Sequence, residues 1–303
     1  MPFLCLPWVD SMKYTKQGKD VVRAFDSWGN FIAAVRDEVS VSKCKRMSRA
    51  RIEQSFPYKD ILTHSIDEAI DLAVNGWYEP EKDIHAIADP LFTGISSLIE
   101  REEFIHGNEG MMIDIAEYVN NEPECWINCV PTIADGRGNR VIHLCYSIAY
   151  SWEVQANEIR KKGSLVVALV RLLEFAGYRV KIDVVRCVEN YMGGKMFKKM
   201  FKIVVPVKQP DQPLDIGRIC FAFCHPSFKR RMMWSIQETT LDGALSRSFD
   251  TGGGYGKVRD GFVPCDIELG FRTSISLSNP QQWLIDQLKA CGVQLKEKAA
   301  GGC

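Results

Sequence analysis

From residue 140 onward, apolar and polar positions follow each other in segments of strand length and helix length. Val141–Ser147 and Tyr178–Val188 are apolar runs of strand length, and Glu153–Ala176 between them repeats apolar residues at helical spacing. Phe197–Val207 forms a third apolar run, separated from the second by a glycine turn. The short connection predicts that the second and third strands form an antiparallel hairpin.

The pattern continues to the end of the chain. Pro213–Glu238 has helical periodicity with a break expected at His225, because the residue before a proline avoids the helical region. Phe262–Phe271 is a fourth strand candidate, and Pro280–Gly292 is a last helix with Asn279 as its N-cap. This alternation predicts an α/β fold: a mostly parallel, Rossmann-like sheet with both faces covered.

The first 110 residues favour helices. Ser65 and Glu68 form a capping box before an amphipathic helix that ends at Gly76. A second helix is expected from Asp89 to Glu103. We therefore predict a mainly helical N-terminal region over residues 1–110 and an α/β domain over residues 111–303.

A hairpin is predicted where these two regions meet. Residues 135–139 (DGRGN) have the composition of a turn, between strand candidates Cys125–Ile133 and Arg140–Ser147.

The composition of the chain argues against several classes of partner and location, and it favours others. The chain has 303 residues, with 38 Lys and Arg against 38 Asp and Glu, so no global charge attracts nucleic acid or an anionic membrane. Its eleven cysteines, several within apolar runs, are expected to be buried reduced thiols. The N-terminal segment lacks signal-peptide features, and no apolar run is long enough for a membrane span. These features predict a cytoplasmic protein with no membrane partner.

The order strand, loop, helix, strand, hairpin strand, helix, strand, helix resembles the von Willebrand factor A fold, above all its intracellular branch associated with metal chelatases. The helix and strand that carry this resemblance read IRKKGSLVVALVRLLEFAGYRVKIDVV. A wider resemblance, to uncharacterised proteins of bacteriophages and bacterial genomes, adds the segments SIDEAIDLAVNGW, EPECWI and HPSFKRRMMWSIQE. This second resemblance spans most of the chain and implies no activity.

The von Willebrand resemblance implies a metal-binding loop of the form Asp-x-Ser-x-Ser after the first strand, which would hold Mg²⁺ or Mn²⁺. In this chain Ser147 replaces the aspartate, Ala149 replaces the first serine, and Ser151 alone agrees. Without the charged ligand we expect no divalent cation and no cofactor. Three carboxylates near other strand ends offer partial compensation, although helix caps and turns explain them better: Asp211, Asp215 and Asp266.

Two basic clusters give the alternative of nucleic-acid contacts, against the default of solvated helix faces. They are Lys43, Lys45, Arg46, Arg49 and Arg51, and the triplet Lys229, Arg230 and Arg231. Cys220, Cys224 and His225 have helical spacing for a zinc site, but the apolar flanks favour core cysteines. The glycine run at residues 252–256 lacks the following helix of a phosphate loop.

A complete catalytic motif is not visible in the sequence. The first hypothesis is therefore a non-catalytic binding or assembly protein of phage or mobile-element origin, with self-association or another protein as its partner. The alternative is a nucleic-acid-binding protein that uses the basic clusters. A second alternative is a metal- or nucleotide-dependent enzyme with its site at the C-terminal ends of the strands.

Overall fold

A mixed seven-stranded sheet forms the centre of the computed structural model, which describes residues 14–17, 20–41, 61–78, 81–96, 103–130, 140–151, 153–189, 199–240, 249, 257–293 and 295. The strands are β1 (Thr15–Gln17), β2 (Asp20–Ala24), β3 (Glu103–Gly107), β4 (Met112–Ile113), β5 (Trp126–Val130), β6 (Val141–Ser147), β7 (Arg179–Glu189), β8 (Met200–Lys208), β9 (Lys257–Arg259) and β10 (Ile267–Gly270). The helices are α1 (Trp28–Val41), α2 (Ile66–Asn75), α3 (Glu81–Ser96), α4 (Ile115–Val119), α5 (Ala156–Phe175), α6 (Ile216–Cys224), α7 (Trp234–Thr240) and α8 (Pro280–Ala290). A π-helical segment, Phe228–Met233, joins α6 to α7.

The large sheet has the strand order β1-β2-β8-β7-β6-β10, and β9 adds to the far end of β7. β6 lies between two parallel neighbours, β7 and β10. The hairpin of β7 and β8 is antiparallel, as predicted. The α/β class is confirmed, and the sheet combines parallel with antiparallel pairs.

Alternation of side chains along the strands explains the two faces of the sheet. Ile142, Leu144 and Tyr146 of β6 join the large core cluster that the helices cover. Cys145, on the opposite face, belongs to a smaller cluster with Val185. That second cluster also contains Val22 and Val204, and it is packed by Phe262, Val263 and Cys265.

The strands β1 and β2, near the start of the described residues, extend the large sheet. β2 pairs in parallel with β8, and β1 pairs with β2. Val21, Trp28 and Ile70 share one core cluster with Leu169 of α5. The boundary at residue 110 stays a prediction, and the structure adds that segments on both sides of it build the same core.

Two predicted elements differ from the structure. The second helix begins at Glu81 instead of Asp89, with Pro90 inside it. Asp89 accepts a hydrogen bond from Arg171 of α5 and pairs with His85 one turn earlier, and these contacts hold the helix on the N-terminal side of the proline. Glu103, expected to end that helix, instead begins β3 opposite Val130.

The predicted hairpin of residues 125–133 with residues 140–147 is also wrong. β5 pairs with β3 and β4 in a separate three-stranded sheet, whereas β6 pairs with β7 and β10. Both segments have strand character, but the central position of β6 leaves no free edge for β5. The proposed turn, residues 135–139, lies outside the described residues.

Most other predicted elements are confirmed. β6 and α8 begin at the predicted residues, and Asn279 accepts a hydrogen bond from the Gln282 amide as an N-cap. The Ser65 hydroxyl caps α2 through the Glu68 amide at 3.0 Å. Cysteines in the core are buried and free, namely Cys145, Cys187, Cys220 and Cys224. Among the described residues, no helix has both the length and the apolar character that a membrane crossing needs.

Candidate functional site

The loop after β6, residues 148–151 and 153–155, leaves the sheet between two parallel neighbours, and we call it the switch loop. From β6 the chain passes through α5 to β7 on one side, while β10 occupies the other side in parallel. The parallel pairing of β6 with β7 ends at Ser147 and Val185. From Cys187 onward, β7 pairs with β9 instead. Open α/β sheets bind ligands at such a point, outside the carboxyl ends of the strands.

The three positions of the predicted metal loop lie here. Ser147 is the last residue of β6 and is buried, and its hydroxyl accepts a hydrogen bond from the Gly261 amide at 3.2 Å. Ala149 is also buried and offers no side-chain oxygen. Ser151 is half-buried, and its carbonyl oxygen accepts from Arg230 at 3.1 Å. The loop therefore begins at the end of β6, and the Ser147 hydroxyl and the Ser151 carbonyl oxygen both have protein partners.

The basic triplet of the π-helical segment is buried, so the expected solvated helix face is wrong. Lys229, Arg230 and Arg231 are each no more than 2% exposed. Successive side chains of a helix point in different directions, so burial of all three requires neighbours on several sides. The switch loop and the segment before α2 provide them.

Each cation of the triplet binds a main-chain carbonyl. Lys229 donates to the Tyr150 carbonyl oxygen, and Arg230 donates to the Val154 carbonyl oxygen at 2.7 Å. Arg231 turns the other way and donates to the carbonyl and hydroxyl oxygens of Thr63. Lys229 and Arg230 thus fix the conformation of the switch loop.

Further positive charge surrounds Lys229. Burial lowers the pKa of Lys229 well below its usual value, and the charges of Arg186, Arg230 and Arg272 lower it further. Arg186 lies on β7 between the residues that pair with β6 and those that pair with β9. Arg272 lies two residues after the end of β10. We call Lys229, Arg230, Arg186 and Arg272 the cation cluster.

Tyr150 is the aromatic centre of this cluster. The Lys229 ammonium lies 4.2 Å from the centroid of its ring, and the Arg230 guanidinium lies 5.6 Å from the same centroid. Burial raises the pKa of Tyr150, while the charges of Arg230 and Arg186 oppose that shift. The phenol is therefore neutral at physiological pH and supplies no negative charge to the cluster.

Two carboxylates at the same edge of the sheet have protein partners. Glu189, at the end of β7, pairs with Arg259 at 2.8 Å. Asp260 accepts a hydrogen bond from the Thr273 hydroxyl through Oδ2, at 2.9 Å, whereas its Oδ1 atom is buried with no hydrogen-bond partner among the described residues.

The structure describes only some of the remaining predicted sites. The cluster from Lys43 to Arg51 and the glycine run lie outside the described residues, so nucleic-acid contacts stay a prediction. Asp215 caps α6 through the Arg218 amide, and Asp266 accepts from the His143 amide. Among the described residues no group of three or more His, Cys, Asp or Glu side chains is placed to hold a metal ion.

One cysteine and one histidine lie two residues apart on β6. The His143 ring contacts Asp183 at 2.7 Å. Burial raises the pKa of the Cys145 thiol to about 12, so it is protonated near neutral pH. A cysteine nucleophile needs the thiolate, and this pair therefore lacks the activated state that a cysteine enzyme uses.

A second feature, not predicted from the sequence, is an exposed apolar surface beside the three-stranded sheet. Within the described part of the chain, six of the ten exposed large hydrophobic side chains lie within residues 111–119. They are Met111, Met112, Ile113, Ile115, Tyr118 and Val119, with Met111 exposed by 81%. Ile115, Tyr118 and Val119 have the i, i+3, i+4 spacing of one helix face.

Negative charge accompanies these apolar side chains. Residues 103–130 contain six carboxylates and neither lysine nor arginine. Asp114 caps α4 through the Ala116 amide at 3.0 Å, and its other oxygen contacts the His106 ring at 3.2 Å. We call this combination of Met111–Val119 with its neighbouring carboxylates the acidic apolar surface.

The turn before β4 is held close to β5. The Met111 amide donates to the Ile127 carbonyl oxygen at 3.1 Å, and the Asp114 amide donates to the Cys125 carbonyl oxygen at 2.8 Å. A side chain at Gly110 would place its Cβ atom 2.7 Å from the Ile127 carbonyl oxygen. Only glycine permits this approach, which fixes the position of the exposed apolar residues.

The sequence contains partial signals for both features. An arginine inside the apolar run of β7, Arg186, indicates a buried cation, and the absence of basic residues from 103–130 indicates an acidic unit. Neither signal shows which other segments come into contact. The burial of Lys229 and the convergence with Arg272 depend on tertiary structure.

Comparison with known proteins gives one family. No curated protein and no solved structure matches this chain. The model of a family described as a domain of unknown function (DUF7192) matches residues 11–285, a range that includes the switch loop, the cation cluster and the acidic apolar surface. The chain therefore belongs to the DUF7192 family.

Proposed function

We propose that this chain is a non-catalytic binding protein that holds a basic, amphipathic segment of another protein on its acidic apolar surface. The observation that carries the proposal is the concentration of exposed apolar side chains within residues 111–119. Contiguous exposed apolar surface in a folded protein marks sites of association.

The charge of the surface selects the kind of partner. Glu109, Asp114, Glu117 and Glu122 lie next to or between the apolar residues. Lysine and arginine side chains of a partner complement these carboxylates, while its apolar face covers Ile115, Tyr118 and Val119. Amphipathic helices bind other proteins in this way, through residues at i, i+3 and i+4.

A second copy of the same surface is a poorer partner. A symmetric dimer places each patch against itself, and here that arrangement would bring like charges together. Self-association, if it occurs, then uses another part of the chain. This favours a different protein as the occupant.

The fold assignment supports the same function. We propose that the α/β part is the von Willebrand factor A-like fold that the sequence resembles; the parallel pairs of β6 and the antiparallel pairing of β8 with β7 support this. The absence of a carboxylate at Ser147 supports a version of that fold that binds partners without a metal. A cytoplasmic location and a phage or mobile-element origin remain parts of the proposal.

Binding of defined peptides to the full chain tests the proposal. A basic amphipathic helical peptide should bind, as measured by fluorescence anisotropy, and raising the salt from about 0.05 M to about 0.5 M should weaken it because exposed charges are screened. A peptide with glutamate in place of each basic residue should not bind. Ile115→Glu should weaken binding at least about tenfold, as expected for a central interface residue.

The matched control is Leu277→Glu, which adds the same charge at an exposed apolar residue outside the acidic apolar surface. It should bind the basic peptide like the unmodified chain. Failure of the basic peptide to bind, or equal binding by the Ile115→Glu variant, would refute the proposal.

A further inference from the structure

A cavity of about 270 Å³ lies at the amino-terminal ends of β6 and β10, beside the last turn of α8. It is at the opposite end of β6 from the switch loop. We propose that this cavity binds a free α-amino acid with an apolar side chain. In this arrangement Arg140 binds the carboxylate of the ligand, and Asp266 binds its ammonium group.

Three chain segments bring the polar groups of the cavity together. Arg140 directly precedes β6, Asp266 directly precedes β10, and Cys291 directly follows α8. The Asp266 amide donates to the His143 carbonyl oxygen at 2.9 Å, and the Asp266 Oδ2 atom accepts from the His143 amide at 2.8 Å. These two bonds fix Asp266 against β6. Its Oδ1 atom has no hydrogen-bond donor among the described residues.

Arg140 is the cation of the cavity. Its guanidinium lies 6.0 Å from the centroid of the Tyr178 ring, and the Tyr178 hydroxyl donates to the Gly292 carbonyl oxygen at 3.3 Å. Tyr178 therefore connects Arg140 to the end of α8. Contact with an aromatic face does not use the N–H donors of the guanidinium, which lie in its plane. Those donors can bind a carboxylate.

Arg140 and Asp266 have opposite charges and both act on the Cys291 thiol. Burial raises the pKa of Cys291 to about 11, while the charge of Arg140 lowers this pKa and that of Asp266 raises it. Both charges therefore lie near the same thiol, yet Arg140 forms no ion pair with a carboxylate in the described part of the chain. An α-amino acid carries a carboxylate and an ammonium group on one carbon atom, so it offers each of these side chains the opposite charge.

The rest of the lining selects the side chain and the size of the ligand. Ile142, Ile267 and Ala290 supply apolar surface, and Glu268 adds a second carboxylate. Small-molecule sites combine apolar walls with a few polar groups, and their volumes begin near about 300 Å³. A cavity of about 270 Å³ therefore favours a single amino acid over a nucleotide or a peptide.

Thermal unfolding of the full chain tests the site with three probes that share one apolar group. They are L-leucine, isocaproate, which lacks the ammonium group, and isoamylamine, which lacks the carboxylate. At about 10 mM, leucine should raise the Tm by about 2–4 °C, because a ligand that binds only the folded state stabilises it. Each analogue should give less than half of this shift. L-Glutamate, whose side chain is charged, should give none.

Two variants separate the two ends of the ligand. Arg140→Gln should weaken leucine binding at least about tenfold, so that more than half of the Tm shift is lost, and should leave the response to isoamylamine unchanged. Asp266→Asn, which keeps an oxygen for the His143 amide, should weaken leucine binding to the same extent and leave the response to isocaproate unchanged. The matched controls are Arg179→Gln and Asp211→Asn, at exposed residues outside the cavity, which should bind leucine like the unmodified chain.

Other outcomes would overturn the proposal. Equal leucine shifts in the unmodified chain, Arg140→Gln and Asp266→Asn would show a general effect of the solute. Isoamylamine that binds as tightly as leucine would show a site for simple amines instead. The absence of a leucine response in the unmodified chain would also refute the site. Ile115→Glu should keep the leucine response, so failure of the peptide-binding proposal and failure of this one are distinguishable.

Discussion

At the scale of single residues, His225 shows how burial determines protonation. It ends α6, with its ring 4.4 Å from that of Trp77 between centroids, and its Nδ1 atom accepts a hydrogen bond from the Ser227 amide at 3.1 Å. Burial, followed by the charge of Arg160, lowers the pKa of His225 to about 3. The ring is therefore neutral in the folded protein at all but strongly acidic pH.

This shift predicts how stability depends on pH. The folded-state pKa lies below the unfolded value, so between those values the unfolded chain binds the extra proton and stability rises with pH. The contribution is complete above about pH 6.5 and is lost as the pH falls toward 3. Between pH 7 and pH 4 the loss from this histidine should be roughly 2–4 kcal/mol.

Urea unfolding at both pH values measures the effect. His225→Asn, which keeps an acceptor near the position of Nδ1, should lose less stability between pH 7 and pH 4 than the unmodified chain. The control is His64→Asn at an exposed histidine, which should follow the unmodified chain. An unchanged pH dependence in His225→Asn would contradict the assignment.

At the scale of elements, the contact between α5 and α6 depends on one glycine. A Cβ atom at Gly163 would lie 2.6 Å from the Phe223 carbonyl oxygen and 2.6 Å from the Cys224 sulfur. The first of these atoms belongs to the backbone, so the helices would have to separate. The same contact positions the end of α6, from which the π-helical segment follows.

Gly163→Ala should therefore lower the free energy of unfolding by about 1–3 kcal/mol, the usual cost of overpacking. Gly29→Ala is the matched control in α1, where the nearest atom would be 3.8 Å away. There alanine should be neutral or stabilising by up to about 1 kcal/mol, because it restricts the unfolded chain. Equal losses in both variants, measured by denaturant unfolding, would contradict this account of the contact.

Most elements of the second half could be predicted because each is long and strongly periodic. The apolar run at Val141–Ser147 has the same bounds as the strand, and Asn279 before Pro280 marks the start of α8. The position of the loop after Ser147 then followed from the end of the strand. The pairing of β5 could not be predicted, because short strands next to one another in sequence look alike whether or not they pair.

The candidate sites could be predicted less well. Lys229, Arg230 and Arg231 have the composition of a solvated helix face, and only the packing of the switch loop and of Thr63 around them makes them buried. Apolar residues such as Ile115 and Tyr118 have helical spacing that usually indicates a core face. Nothing local in the sequence distinguishes an apolar face that is exposed from one that is covered.

At the scale of the whole molecule, the three predicted metal-loop positions after β6 offer no charged ligand to a divalent cation. Ser147 is neutral, Ala149 has no side-chain oxygen, and Lys229 and Arg230 add positive charge. Calorimetric titration with Mg²⁺ and Mn²⁺ should show no binding below about 1 mM, since hard cations need charged oxygen ligands. Tight binding that Ser151→Ala abolishes would contradict this prediction.

The parallel pairing of β2 with β8 has a consequence for the order in which the molecule folds. The Met200 amide donates to the Asp20 carboxylate across 180 residues of sequence. A ribosome adds about 5–20 residues per second. The synthesis of β8 is therefore completed about 10–40 s after that of β2. During that interval Val21 and Val22 have no sheet to join. Synthesis of the nascent chain therefore leaves this hydrophobic edge available to chaperones until the hairpin of β7 and β8 is made.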